Sequence, residues 1–262
     1  MEGTPPQRDE AAGSFRRVRM DLPVTDGYLC LEAAIPAGRC DLASIVPAAR
    51  TIASRLAALT VSILRRHAID VPCRKGCSTC CHYLVPLSVS EAMALRREMQ
   101  QLQPDRRDAI HARMAAWSAA SDLPSSCHPR QDEPGTFARL ADRYAREQTP
   151  CPLLQAGLCT MYDARPIACR EHSAMGPASR CDHSRGGTPT PVITSVFEAL
   201  GRLHAELTGQ PMEVIPMPSL HAWWELHSDE ESPVGDGETM IRRLGAILAE
   251  QFDTFVTSRR AG

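Results

Sequence analysis

The sequence predicts a mainly α protein with small β elements, in which helices flank an irregular cysteine-rich core. Three observations carry that prediction. Apolar residues recur at helical spacing through most of the chain. Alternating, strand-like patterning is confined to short stretches. Eight of the 11 cysteines crowd into two segments, residues 73–81 and 151–181, rich in Gly, Pro and Arg and poor in regular periodicity.

Taken in order, residues 1–14 are polar, with Pro5, Pro6 and Gly13, and predict a disordered tail. Residues 15–69 predict two strands and a helix. Phe15–Pro23 and Tyr28–Ile35 read as strands about an Asp26-Gly27 turn. Ile45, Ile52, Leu56, Leu59 and Ile63 share one face of a helix over 44–67. Pro47 is tolerated in its first turn, and Arg65, Arg66 and His67 suit its C-terminus. Ser88 and Glu91 form an S-x-x-E capping box. The helix it opens runs its apolar face through Ala92, Leu95, Met99 and Leu102 until Pro104 breaks it. Helices near 105–120 (Ile110, Met114, Trp117) and 136–147 (Phe137, Leu140, Tyr144) lie either side of a polar loop. Pro152–Leu154 and Leu158–Tyr162 predict a hairpin about Gln155-Ala156-Gly157, and Pro166 favours a short helix carrying Cys169. Helical patterns over 192–208, 218–227 and 238–257 follow. Residues 184–262 are expected to pack on the same core, with Trp223 and Trp224 inside it.

Composition narrows the function. The chain has 262 residues, 43% hydrophobic and 23% charged, with a net charge of −2. There is no overall positive field for nucleic acid or an anionic membrane, and no apolar run approaches membrane-spanning length. The N-terminal stretch lacks an apolar signal region, which predicts a cytoplasmic protein with reduced thiols. Lys75 is the only lysine. No G-x-S-x-G, H-E-x-x-H, Walker or G-x-G-x-x-G motif is present.

The cysteines carry the chemistry. Cys73, Cys77, Cys80 and Cys81 form C-x3-C-x2-C-C; Cys151, Cys159, Cys169 and Cys181 form C-x7-C-x9-C-x11-C. A short knuckle with distant returning thiolates encloses a soft metal, and the odd total leaves a disulfide framework incomplete. Gly76 allows the knuckle to wrap tightly. Adjacent Cys80 and Cys81 are expected to point apart, so that one of them joins Cys73 and Cys77 while the other reaches a second centre or acts as a reserve thiol. At least one cysteine of 151–181 completes the set. Arg74, Lys75, Arg170 and Arg180 beside the cysteines would offset thiolate charge. His82, His172 and His183 flank the ligands, where supporting or surface roles are expected. Cys30, Cys40 and Cys127 lie outside the pattern and read as incidental thiols.

The knuckle Cys73–Cys81, Val85-Pro86-Leu87-Ser88 with Glu91-Ala92, Cys151-Pro152-Leu153-Leu154, Cys159-Thr160-Met161-Tyr162, Arg165-Pro166 and Cys169-Arg170 resemble the CxxCxxCC cysteine-cluster family, also called YkgJ-like. The resemblance covers roughly residues 70–183. It implies a zinc- or iron-chelating domain whose cysteines fall on Cys73, Cys77, Cys80, Cys81, Cys151, Cys159, Cys169 and, less firmly, Cys181. It further implies that Tyr162 and Pro166 hold the loop over the centre. Flagellin lysine-N-methylases resemble the family in this cluster, which brings in an alternative: iron–sulfur-dependent methyl transfer from S-adenosylmethionine to a protein. The expectation is therefore a metal-binding protein holding an iron–sulfur cluster, [4Fe–4S] favoured, or zinc, in a structural or redox role. An unidentified protein partner is allowed; nucleic acid and membrane are not expected.

Overall fold

In a computed structural model, residues 14–120, 124–129, 131–181 and 187–260 are described. Nearly all of the expected N-terminal tail, and His183, lie outside them. The chain opens with an antiparallel ribbon, β1 (Phe15–Val24) and β2 (Gly27–Pro36), paired Phe15 to Pro36 through Val24 to Gly27. Its alternation is that of a half-buried ribbon. Val18, Met20, Leu22, Leu31, Ala33 and Ile35 are buried, and Arg17, Arg19 and Asp21 face outward.

A short β3 (Arg39–Asp41) and a 3-10 turn lead into α1 (Val46–Arg66), with proline in its first turn and Arg65 and Arg66 in its last. Among the described residues, Leu42–Arg66 is the one helical span apolar and long enough to cross a membrane, at a mean hydropathy of 1.2. This corrects the expectation that no run comes near that length. Half of its most apolar 18-residue window is buried inside the protein, including Ala48, Ala49 and Ala53.

Next come β4 (Pro86–Ser88), α2 (Val89–Gln100), α3 (Pro104–Ala120) and α4 (Thr136–Glu147). The hairpin β5 (Leu154–Gln155) and β6 (Leu158–Cys159) is tighter than predicted, turning on Ala156 and Gly157, both left-handed. Behind it lie α5 (Ile167–Glu171), β7 (Ala174–Met175) and β8 (Thr188–Pro189). The C-terminal part holds α6 (Val196–Thr208), β9 (Val214–Pro216), α7 (Leu220–Leu226), β10 (Val234–Asp236) and α8 (Gly237–Arg260). The fold is mainly α with small β elements, as the sequence predicts.

α6 starts four residues later than its apolar pattern. Ser195 caps it by accepting from Glu198 N, which leaves Ile193 in the preceding loop. Three strand pairs were not predicted: β3 with β10, β4 with β9, and β7 with β8. The first two join segments far apart in sequence and are three residues long, too short to show a period. One apolar core runs through β1, β2, α1, α2, α3, α6, α7 and α8. Trp223 and Trp224 are inside it, their indole N–H groups donating to Glu213 (2.8 Å) and to the Ala92 carbonyl (3.0 Å).

The capping box of α2 does more than start a helix. Glu91 is fully buried. One carboxylate oxygen accepts from the Ser88 N–H (3.3 Å) and hydroxyl (3.2 Å), and the other from the N–H of Ile167 at 2.7 Å. One side chain thus fixes the first turn of α2 and the first residue of α5, the helix that carries Cys169. Glu91→Ala orphans buried donors at both places and is expected to lower stability by about 2–4 kcal/mol in urea unfolding. Glu91→Gln retains an acceptor and should cost less. Burial pushes the Glu91 carboxyl above its ordinary value of 4.5. The folded chain then holds the proton more tightly than the unfolded one. That stabilisation is complete below the unfolded pKa and is lost as pH rises through the folded pKa. Wild type is therefore expected to lose stability relative to Glu91→Gln as pH climbs above about 4.5; a pH-independent difference would contradict the assignment.

Candidate metal centre

The knuckle follows α1 without regular structure. Gly76 adopts φ +89°, a left-handed conformation that favours glycine, and the chain then closes into a 3-10 turn over Thr79–His82. Three long-range hydrogen bonds tie this segment to the returning one. Cys151 N donates to Cys81 O at 2.7 Å, Gly176 N to Asp70 O at 2.8 Å, and Ala174 N to the Cys73 sulfur at 3.3 Å.

Six of the eight cysteines line one cavity of about 300 Å³: Cys77, Cys80 and Cys81 from the knuckle, Cys151, Cys159 and Cys169 from the return. Its apolar wall includes Val85, Leu153 and Met217. Cys73 and Cys181 are outside this lining and lie together beside β7. An added Cβ on Gly187 would come 2.6 Å from Ala174 Cβ and 3.0 Å from Cys181 Sγ, so glycine there leaves the space that the Cys181 sulfur fills. A second cavity, about 460 Å³, shares Cys80 and Cys169 as a wall and holds His172, Glu171 and Tyr83.

Cys80 and Cys81 do not point apart. Their thiols hydrogen-bond to each other, because successive side chains in a 3-10 turn diverge less than on an extended strand. That bond, helped by Arg165, lowers the Cys80 thiol to about 7 and raises Cys81. Burial, followed by neighbouring thiols, raises Cys169 well above its usual value. Cys151 is pushed up to about 12, mainly by burial. Cys159 is raised by burial, with Arg165 and Arg106 opposing.

The cations divide their work differently from the sequence expectation. Arg170 is committed to structure: its guanidinium donates to the carbonyls of Arg165 (3.0 Å) and Asp163 (2.5 Å) and to the Ser54 hydroxyl (3.0 Å). Arg165 and Lys75 each lie over the ring of Tyr162, 4.5 and 5.0 Å from its centroid, at the cavity wall. Arg106, also in that wall, and Arg113, bonded to Pro152 O at 2.7 Å, were missed, because a helix 40 residues upstream carries no local signal of the cavity.

Glu171 accepts from the Ser195 hydroxyl and the Val196 N–H and so holds the start of α6. His172 stacks edge-on against Tyr83, with burial disfavouring its charged form. His82 sits half-buried in the 3-10 turn. Cys127 is buried in a bridge to Val214, Cys40 is half-buried and Cys30 exposed.

The donor set suits a soft cation: six sulfurs in a lining that also holds apolar side chains and the cations Lys75, Arg106 and Arg165. As placed, no group of three His, Cys, Asp or Glu side chains among the described residues is arranged to hold one ion. The thiols ring a space and do not converge on a point. These features define a helical protein with a thiol-lined cavity between two cysteine segments. Residues 72–190 match the CxxCxxCC family model, described as “Putative zinc- or iron-chelating domain”. All eight cysteines fall within it; β1, β2, α1 and α8 lie outside. No curated protein and no solved structure matches the chain.

Gly187→Ala is expected to destabilise the fold by about 1–3 kcal/mol, since its new methyl must displace Ala174 or the Cys181 sulfur. Gly209→Ala, whose Cβ would meet nothing within 4 Å, provides the comparison for a strained but open site. An unchanged urea midpoint for Gly187→Ala would show that β7 and Cys181 are loosely held.

Proposed function

We propose that this protein binds metal through cysteine thiolates, that an iron–sulfur cluster is favoured over zinc, and that the centre serves a redox or structural role. One observation carries the reading: thiols 70 or more residues apart in sequence surround a single cavity. Its volume of about 300 Å³ is some tenfold the share of one liquid water, which suits a polynuclear group better than a lone ion. Zinc would draw four sulfurs to about 2.3 Å from one point, a larger rearrangement from the present ring.

Bound there, a cluster supplies one-electron transfer. The residues of this chain have separable tasks. Cys77, Cys80, Cys81, Cys151, Cys159 and Cys169 present sulfur. Val85, Leu153 and Met217 keep water from the inner wall. Arg165, Lys75 and Arg106 offset the negative charge that ligation leaves. Binding would also draw the two cysteine segments together and so add to folding stability.

Purification without oxygen or chelators tests the reading. A brown protein absorbing near about 400 nm, with iron and acid-labile sulfide, is expected. A colourless protein with stoichiometric zinc would replace the cluster by a structural ion, and a folded protein with neither would overturn metal binding. Cys77→Ser is expected to lose metal and melt earlier, while Cys127→Ser keeps its metal; the reverse order would show that the ligand boundary is drawn wrongly.

A further inference from the structure

We propose that the cavity beside the thiol-lined one is a binding site for a small organic amine with an apolar body, the Glu171 carboxylate receiving its ammonium group. This goes beyond the metal-binding reading and does not depend on it. The cavity, of about 460 Å³, lies between the end of the knuckle, α5, β8 and the start of α6. That volume is in the range of sites for small molecules. A narrow apolar cleft borders it, formed by α1, the turn between β1 and β2, and Phe252 of α8. Glu171, Thr190 and Val192 line both spaces, so Glu171 stands where they meet.

Charge decides which ligand fits. Among the described residues neither lining contains a lysine or an arginine, and Glu171 is the one acidic side chain in either. His172 adds no charge, because burial disfavours its protonated form. The thiol-lined cavity is the opposite case, with Lys75, Arg106 and Arg165 in its wall. Glu171 is half-buried, and its oxygens accept from neutral donors, the Ser195 hydroxyl at 3.0 Å and the Val196 N–H. The first turn of α6 offsets part of the carboxylate charge. Each oxygen keeps a further lone pair, and an ammonium group would supply the missing countercharge, whereas an anion would add to the cost of burial.

The other walls suit an apolar body. Tyr83, Leu84, Pro86, Pro189 and Val192 contribute ring and aliphatic surface. The polar groups of the far wall are already paired. The Ser173 and Thr190 hydroxyls bond to each other at 2.8 Å, and Thr190 N donates to Ser173 O at 2.9 Å, so this wall is held in place without a ligand. Cys80 and Cys169 close the remaining side and also line the thiol cavity. An amine bound here would therefore rest against the wall that those two cysteines form.

Calorimetric titration of the full-length, reduced protein in phosphate buffer tests the site, with phenethylamine as the probe. Phenethyl alcohol and hydrocinnamate are its uncharged and anionic counterparts. The amine is expected to bind at least about tenfold more tightly than the alcohol, the worth of a charge-assisted hydrogen bond, and the acid to show no binding. Glu171→Gln keeps an acceptor for Ser195 and Val196 and should abolish the preference for amine over alcohol. Val192→Trp, at a position 50% exposed and common to both linings, should fill the space and weaken amine and alcohol alike. A wild type that binds none of the three, or binds amine and alcohol equally, overturns the proposal. So does an amine affinity unchanged in either folded variant. If Glu171→Gln does not fold, the wild-type preference and Val192→Trp decide the matter. Zinc and iron content of the same samples reads the metal-binding proposal separately, so either can fail while the other stands.

Discussion

Three hydrogen bonds, Cys151 N to Cys81 O, Gly176 N to Asp70 O and Ala174 N to the Cys73 sulfur, set the register between two segments that lie far apart in sequence and carry all of the candidate ligands. Slip that register and the thiols of the hairpin β5–β6 and of α5 no longer face the knuckle. The surrounding fold secures it. Glu91 fixes the start of α5 to α2, Arg170 fixes the preceding loop to α1, and Glu171 fixes the end of α5 to α6. A helix of five residues has little stability of its own, so its position is imposed by these buried polar bonds. The apolar core thus acts on the site indirectly, by supplying rigid helices to which a loop-built thiol ring is anchored.

The ring itself is electrostatically unfavourable in its charged form. Burial raises Cys151, Cys159 and Cys169, and neighbouring thiols add to it at Cys151 and Cys169. A chain gains nothing in stability by gathering such groups around an enclosed space, and close thiols invite oxidation. The arrangement makes physical sense when a cation, or a cluster with positive metal ions, supplies the missing charge. Arg165, Arg106 and Lys75 then balance the excess negative charge of full thiolate ligation.

Much of this was legible in sequence, and for definite reasons. α1, α3, α4 and α8 have long apolar periods, Ser88 and Glu91 mark a helix start, and Pro166 marks another. The cysteine spacing alone pointed to 73–81 and 151–181. What escaped was non-local. β3–β10 and β4–β9 join three-residue pieces across more than 100 positions, and no local pattern encodes them. The start of α6 was misread because Ser195 and Glu171 override the apolar run through Ile193. Cys80 and Cys81 were expected to diverge as adjacent residues, but they sit in a 3-10 turn. Arg170 was expected to offset thiolate charge, and Arg165 was not among the cations given that task. Only the fold shows that one is tied to carbonyls and the other lies over Tyr162 at the cavity wall.

The central claim is that sulfur from both segments grips one kind of soft centre. X-ray absorption at the metal edge of anaerobically purified protein reads the ligands directly. The account predicts a shell of sulfur scatterers alone, at about 2.3 Å, with metal–metal scattering added if clusters are bound. A shell dominated by nitrogen or oxygen, unchanged when Cys151 or Cys169 is replaced, would contradict it.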